Sequence, residues 1–225
     1  MAIPSQEQVS LLTDYDAGSV YTAAYHELYA NIRFNWDTQK QQHTVLITTP
    51  AFYAGHAAAA ANIGIAAAQN GVPTIVVDAD VQHPSLQQRF GIGETLGLSD
   101  LLASDTITAD RIAAQLCPTF VRGLRLLCAG KTPLAPTTLL AEGKIEELLS
   151  GLRSYLAETE ATSSLIIVNG PSVIGGTHAA QLSNLLDQTL LVIVTGRTTR
   201  KQAKQAQEQL VRAHANLAGV IMLDV

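Results

Sequence analysis

The sequence predicts an α/β fold, a mainly parallel sheet with helices on both faces. Three observations carry that prediction. Six short β-branched runs are bounded by turn residues, segments of helical composition lie between them, and 47% apolar against 15% charged residues in a chain of 225 gives enough material for one sizeable core. Strands buried on both faces read as continuous apolar runs, and a sheet of such strands places its ligands at their carboxyl ends.

Taken in order, residues 1–36 form an N-terminal helical segment, and residues 37–225 a single globular unit. In the first segment Tyr21, Tyr25 and Tyr29 recur at a spacing of four, which puts them on one helix face, expected to pack on the body of the domain. Strands are expected at Thr44 to Thr49, Thr74 to Asp78, Leu124 to Cys128, Leu165 to Asn169, Leu190 to Thr195 and Gly219 to Leu223. Helices are expected at Gly55 to Asn70, Pro84 to Phe90, Leu98 to Ala103, Leu139 to Leu156, Thr177 to Leu186 and Thr199 to His214. The run Ala57 to Ala68 is rich in alanine, the best helix former, and its small side chains allow close approach to a sheet. The loops that matter for function are then those after Thr49, Asp78 and Asn169.

Composition excludes several classes. A net charge of −5 without a basic cluster gives no electrostatic footprint for nucleic acid. No apolar stretch reaches the roughly 20 residues of a membrane span, and the N-terminus lacks the pattern of a secretory signal. Two cysteines, Cys117 and Cys128, are too few for a disulfide framework, so the cytoplasm is the expected location. Six scattered histidines form no Ser/His/Asp or Cys/His constellation, and His56 and His83 lack paired metal-ligand spacing, so no metal site is expected. Arg197, Arg200, Lys201 and Lys204 make one face of the last long helix basic, a pattern expected of a solvated face.

A strand, a loop and an alanine-rich helix, followed about thirty residues on by a second strand ending Val77-Asp78-Ala79-Asp80, form the layout of a P-loop. Over nearly its whole length the chain resembles the bacterial tyrosine kinases (BY-kinases) of capsule and exopolysaccharide synthesis, relatives of the MinD/ParA ATPases. Ala23 to Phe34 is similar to that family's N-terminal helix E-A-Y-R-x-L-R-T-N-I-x-F. Asp78 to Leu86 (DADVQHPSL) resembles D-A-D-L-R-R-P-S-L, and Gly97 to Leu102 reads GLSDLL as in the family. Leu126 to Gly130 and Pro133 to Leu140 echo L-L-P-A-G and P-x-N-P-x-E-L-L.

The departures fall on the residues that handle ATP in the family. Where G-x-x-x-x-G-K-[ST] is expected the chain runs Ala51-Phe52-Tyr53-Ala54-Gly55-His56-Ala57-Ala58, keeping only Gly55. His56 is shorter than lysine and Ala57 has no hydroxyl for Mg²⁺; each hydrogen bond lost to a charged group is worth about 1.5–3 kcal/mol. Phe52 or Tyr53 is expected to occupy part of the phosphate space. The family's V-I-I-D-T-P-P is here Ile166-Ile167-Val168-Asn169-Gly170-Pro171-Ser172, so Asn169 stands where the resemblance implies a carboxylate. Asp224 stands in the last strand where the family's asparagine faces adenine. The acidic pair Asp78 and Asp80 is kept: the resemblance implies a Mg²⁺ ligand and a catalytic carboxylate, the latter at Asp80, whereas the residues alone read as caps of the turn before Pro84. The implied nucleotide-site residues are thus Gly55, His56, Ala57, Asp78, Asp80, Asn169 and Asp224.

The E-x-x-R-x-x-R that packs the kinases into rings is replaced by Ala23, His26 and Tyr29, and the family's C-terminal tyrosine cluster has no counterpart after Tyr155. The expectation is a catalytically impaired member that needs no cofactor and serves as a binding or regulatory subunit in polysaccharide biosynthesis or export. Its expected partner is a membrane copolymerase or adaptor, or an active paralogous kinase, met at the inner face of the membrane. The alternatives are a divergent kinase or ATPase that still binds ATP or ADP weakly with Mg²⁺, and a MinD/ParA-like positioning protein.

Overall fold

A computed structural model of the chain describes residues 11–53, 55–131, 143–158 and 161–224. The strands are β1 (Gln42–Thr48), β2 (Thr74–Asp78), β3 (Leu116–Pro118), β4 (Leu124–Leu127), β5 (Ser164–Asn169), β6 (Gln188–Val194) and β7 (Leu217–Leu223). They form one sheet in the order β3-β4-β2-β5-β1-β6-β7, in which β3 alone runs antiparallel. The helices are α1 (Val20–Phe34), α2 (His56–Gln69), α3 (Leu86–Arg89), α4 (Leu98–Ala103), α5 (Ala109–Gln115), α6 (Lys144–Ala157), α7 (His178–Leu185) and α8 (Arg200–Arg212). The expected α/β architecture is the observed one.

The central strands alternate between two cores because successive side chains point to opposite faces. Val45, Ile47, Val76, Leu165 and Ile167 join α1 and α2 on one face. Leu46, Ile75, Val77, Ile166 and Val168 join α4, α5 and α6 on the other. Helix α2 is buried from His56 to Ala68, since the sheet takes one side and α1 the other. A helix apolar all round needs such a double cover. Its one polar residue between Ala57 and Ala68, Asn62, accepts from Leu12 N at 2.8 Å and donates to the Tyr21 hydroxyl at 2.9 Å.

The tyrosine stripe packs as expected: Tyr25 and Tyr29 are buried and Tyr21 meets Tyr25 edge-on. Phe34, the last residue of the segment that resembles the family's N-terminal helix, is 90% exposed. The inward positions run 25, 29 and 32 and continue at Trp36, which meets Tyr29 edge-on and stacks on His43; at helical spacing position 34 lies on the other side.

Two elements lie outside the sequence expectation. Helix α5 buries only Ile112, and β3 is a three-residue edge strand ending at Pro118, where a missing N–H costs no ladder bond. Both are too short for periodicity to register. Of the expected helix Leu139 to Leu156, the structure describes the part from Gly143, while the segment Pro133 to Leu140 lies outside the described residues.

Two of the segments that carry the sequence resemblance meet in space. Leu98 N and Ser99 N donate to the Cys128 and Ala129 carbonyls at 2.8 and 2.9 Å, and Asp100 Oδ2 accepts from Gly97 N and Lys131 N at 2.8 and 3.0 Å. A Cβ at Gly97 would stand 2.1 Å from the Cys128 carbonyl oxygen, a contact with backbone that nothing can relieve by rotating. Gly97→Ala is therefore expected to lower unfolding stability by about 2 kcal/mol, within the usual range for overpacking. Gly18→Ala, where nothing lies within 4 Å, is expected to stay within about 0.5 kcal/mol in the same urea titration.

Candidate functional site

The neighbours β2, β5 and β1 bring the loops after Asp78, Asn169 and Thr48 to one edge. Those loops are stitched together by backbone. Ala79 N donates to the Asn169 carbonyl and Gly170 N to the Ile47 carbonyl, each at 2.9 Å, while Thr48 Oγ1 donates to the Pro171 carbonyl at 2.6 Å. The crossover of strand order at this edge is where open α/β sheets form their sites.

Asp78, the last residue of β2, is fully buried. Its Oδ1 accepts from Asn169 Nδ2 at 2.9 Å, and its Oδ2 accepts from Ser85 N and Leu86 N at 3.2 Å each. It therefore holds the turn that carries Pro84 and starts α3, as the residue pattern alone implies. Burial pushes the carboxyl up to about 6, against the pull of the Asn169 amide and of the Leu86 and Ser85 N–H groups. Asn169 supplies a donor where a second carboxylate would repel, and among the described residues its own Oδ1 has no hydrogen-bond partner.

The loop before α2 is occupied by an aromatic ring. Gly55, which caps α2, lies so close to Tyr53 that a Cβ there would stand 2.3–2.7 Å from the ring's Cε1, Cζ and hydroxyl oxygen. Of the two aromatics expected to fill this space, Tyr53 is the buried one, and the Arg197 guanidinium lies over its ring, 5.3 Å from the centroid. Phe52 instead points outward, half exposed, with its ring against His83 at a centroid distance of 4.0 Å. Phe52 is marked by no feature of the sequence as the outer of the pair.

His56, first residue of α2, is turned back into the protein. Its Nδ1 bonds the Tyr53 carbonyl at 2.5 Å and its Nε2 lies 3.2 Å from the Gly170 carbonyl and 3.8 Å from Asp80 Oδ2. Burial lowers its basicity below that of an ordinary histidine, opposed by the Tyr53 carbonyl, Asp80 and the Gly170 carbonyl, with Arg89 acting in the same direction as burial. Asp80 is 1% exposed, and among the described residues neither carboxylate oxygen has a hydrogen-bond partner; His83 Nδ1 stands 3.4 Å from its Oδ1. Among the described residues no group of three or more His, Cys, Asp or Glu is disposed to hold a metal ion.

The structure thus gathers Gly55, His56, Asp78, Asp80 and Asn169. Ala57 faces the apolar core beneath. Asp224 lies exposed beyond β7, at the same edge of the sheet and separated from β1 by β6. The convergence of His56 and His83 on Asp80 escapes the sequence reading, since the two histidines come from different loops.

Asn169→Asp would set a second carboxylate against Asp78 across 2.9 Å, with both groups fully buried. We expect it to cost about 3 kcal/mol at pH 8. One of the pair then holds its proton more tightly folded than unfolded, and more tightly than Asp78 does beside the Asn169 amide, so the variant's native state binds more protons and its stability relative to wild type rises as pH falls. Urea unfolding of wild type and variant at pH 8 and pH 5 reads this directly: the gap should narrow by at least half at pH 5.

No family model matches the chain. It is 28% identical over 218 residues to the tyrosine-protein kinase YwqD of Bacillus subtilis (strain 168), covering 97% of this chain and 87% of that protein. Among solved structures, the chimerical protein CapA2B2 superposes with a TM-score of 0.79 at 24% identity, covering 95% of this chain and 88% of the other. The MinD cell division protein of Aquifex aeolicus superposes with a TM-score of 0.58 at 19% identity, over 81% and 68% of the two chains. The chain is a homologue of proteins named bacterial tyrosine-protein kinases, built on the α/β fold that their kinase domains share with the MinD and ParA P-loop proteins.

Proposed function

We propose that this chain is a catalytically silent relative of the bacterial tyrosine kinases that acts as a binding or regulatory subunit in polysaccharide biosynthesis or export. The observation that carries the reading is the Tyr53 ring packed against Gly55, in the place where a phosphate-binding loop needs open backbone N–H groups. The residues present do not fit a magnesium-bound nucleotide. His56 is bonded inward, Ala57 offers no oxygen, and the Asn169 amide is engaged by Asp78. Phosphoryl transfer depends on positioning and on charge stabilisation by lysine, hydroxyl and carboxylate groups at these positions, so their joint replacement removes more than one drifted residue would.

A second reading, a divergent active kinase, draws on one observation: Asp78 and Asp80 both stand at the carboxyl end of β2. Purified protein incubated with ATP and Mg²⁺ separates the two. We expect no phosphotyrosine and no ATP hydrolysis above buffer; phosphotyrosine that disappears in Asp80→Ala would overturn the silent reading.

The partner we propose is a membrane copolymerase or adaptor, or an active paralogous kinase. Among the described residues no helix is long and apolar enough to cross a membrane. Helix α1 is the proposed docking element, because its inner side is committed to α2 while Val20 and Phe34 stand 88% and 90% exposed. Removing the helix would uncover α2, so the test uses its outer positions. Val20→Ser combined with Phe34→Ser should abolish co-purification of a polysaccharide-system protein from the native host without changing the melting temperature; equal recovery with both forms would assign docking elsewhere.

A further inference from the structure

The sheet has two outer strands, and they are not protected alike. β3 offers three residues and ends on Pro118, which has no N–H to donate, so that edge is blunted against further pairing. β7 is the opposite case. It runs for seven residues, Leu217 to Leu223, with no charged residue and no proline, and among the described residues only β6 pairs with it. Its one irregularity lies at the start, where the register shifts between Leu217 and Gly219; from Gly219 to Leu223 the ladder is regular. Val220 and Met222 are 51% and 70% exposed. They pair in register with Leu191 and Ile193, so their side chains emerge on the face that Leu191 shares with α7 and α8, beyond the cover those helices give.

The backbone of the same two residues points out of the sheet. The Leu223 carbonyl accepts from Thr195 N at 2.9 Å and so faces β6; successive residues of a strand alternate, which turns the N–H and C=O groups of Val220 and Met222 away from β6. Natural edges are kept single by charges, prolines or bulges, and none of these falls between Gly219 and Leu223. The flanks complement a second copy of the same strand. Arg212 and His214 precede β7 and Asp224 follows it, all three exposed, so an antiparallel copy sets the acidic end of each strand toward the basic start of the other.

We propose that β7 is a homodimer interface, in which two copies of this chain pair β7 against β7, antiparallel, about a two-fold axis at Val220. The two Val220 residues then form a hydrogen-bonded pair that exchanges both N–H···O bonds, and Met222 lies opposite the small Ala218. Asp224 approaches Asn216 of the other copy, close in sequence to Arg212 and His214. The strand is thus complementary to itself, large side chain against small and acidic end against basic. The contact closes at two copies, because each free β7 edge is consumed by the other. It involves neither α1 nor the loop between β1 and α2, so it stands whether or not the chain transfers phosphate.

The test is sedimentation velocity of the full chain from low to several hundred micromolar. Wild type is expected to shift toward twice the monomer mass as concentration rises. Val220→Lys and Val220→Glu each set like charges directly opposite one another across the axis, so each alone should weaken dimerisation at least about tenfold. An equal mixture of the two variants should restore the dimer, because lysine then meets glutamate; that recovery also shows that both variants are folded. A wild-type chain that stays monomeric throughout would overturn the proposal and leave the β7 edge to another segment of the chain or to a different protein. A dimer that neither variant weakens, a mixture that fails to restore it, or growth beyond two copies would each overturn it as well.

Discussion

The buried Asp78 carboxylate ties three elements together at the end of the sheet that matters. From the end of β2 it reaches across to Asn169 at the end of β5 and forward to the backbone of Ser85 and Leu86, where α3 begins. The strand pairing sets Asp78 opposite Asn169 in register, so the bond follows from the ladder itself. A carboxylate with no exposure persists there because each of its oxygens meets a donor, and the cost of burial registers in a pKa of about 6. The residue at 169 must then be a donor. An asparagine satisfies that requirement; a second carboxylate would satisfy it only by keeping a proton.

The same constraint explains the neighbouring residues. With Asn169 bonded to Asp78, the loop after β5 runs on through Gly170 to Pro171, and both carbonyls are taken by the β1 side: one faces His56 and the other accepts from Thr48. His56 in turn bonds the Tyr53 carbonyl, fixing the bend that places the Tyr53 ring against Gly55. Asn169 and Asp78 thus face each other, and His56 faces the carbonyls of Tyr53 and Gly170. Asp80 is the exception, a buried carboxylate that none of these hydrogen bonds reaches.

The sheet was legible because its central strands are apolar on both faces: Leu165, Ile166, Ile167 and Val168 form a run that only a doubly covered strand can use, and the interleaved helices imply parallel pairing. That the loops after β1, β2 and β5 meet followed from the rule that sites form at strand carboxyl ends. What the sequence could not reveal were contacts fixed by strand order and by ring orientation. Asp78 and Asn169 stand 91 residues apart, and nothing in either segment names the other as partner. Whether Phe52 or Tyr53 turned inward depended on the course of a short loop, and the antiparallel β3 rested on three residues, below the length at which alternation carries information.

The central claim is that the loop between β1 and α2 is closed to phosphate by the protein's own side chains. Isothermal titration of the wild-type chain with ATP in the presence of Mg²⁺ tests it most directly. The account predicts no saturable binding up to millimolar nucleotide; a saturable isotherm with a dissociation constant in the micromolar range would contradict it.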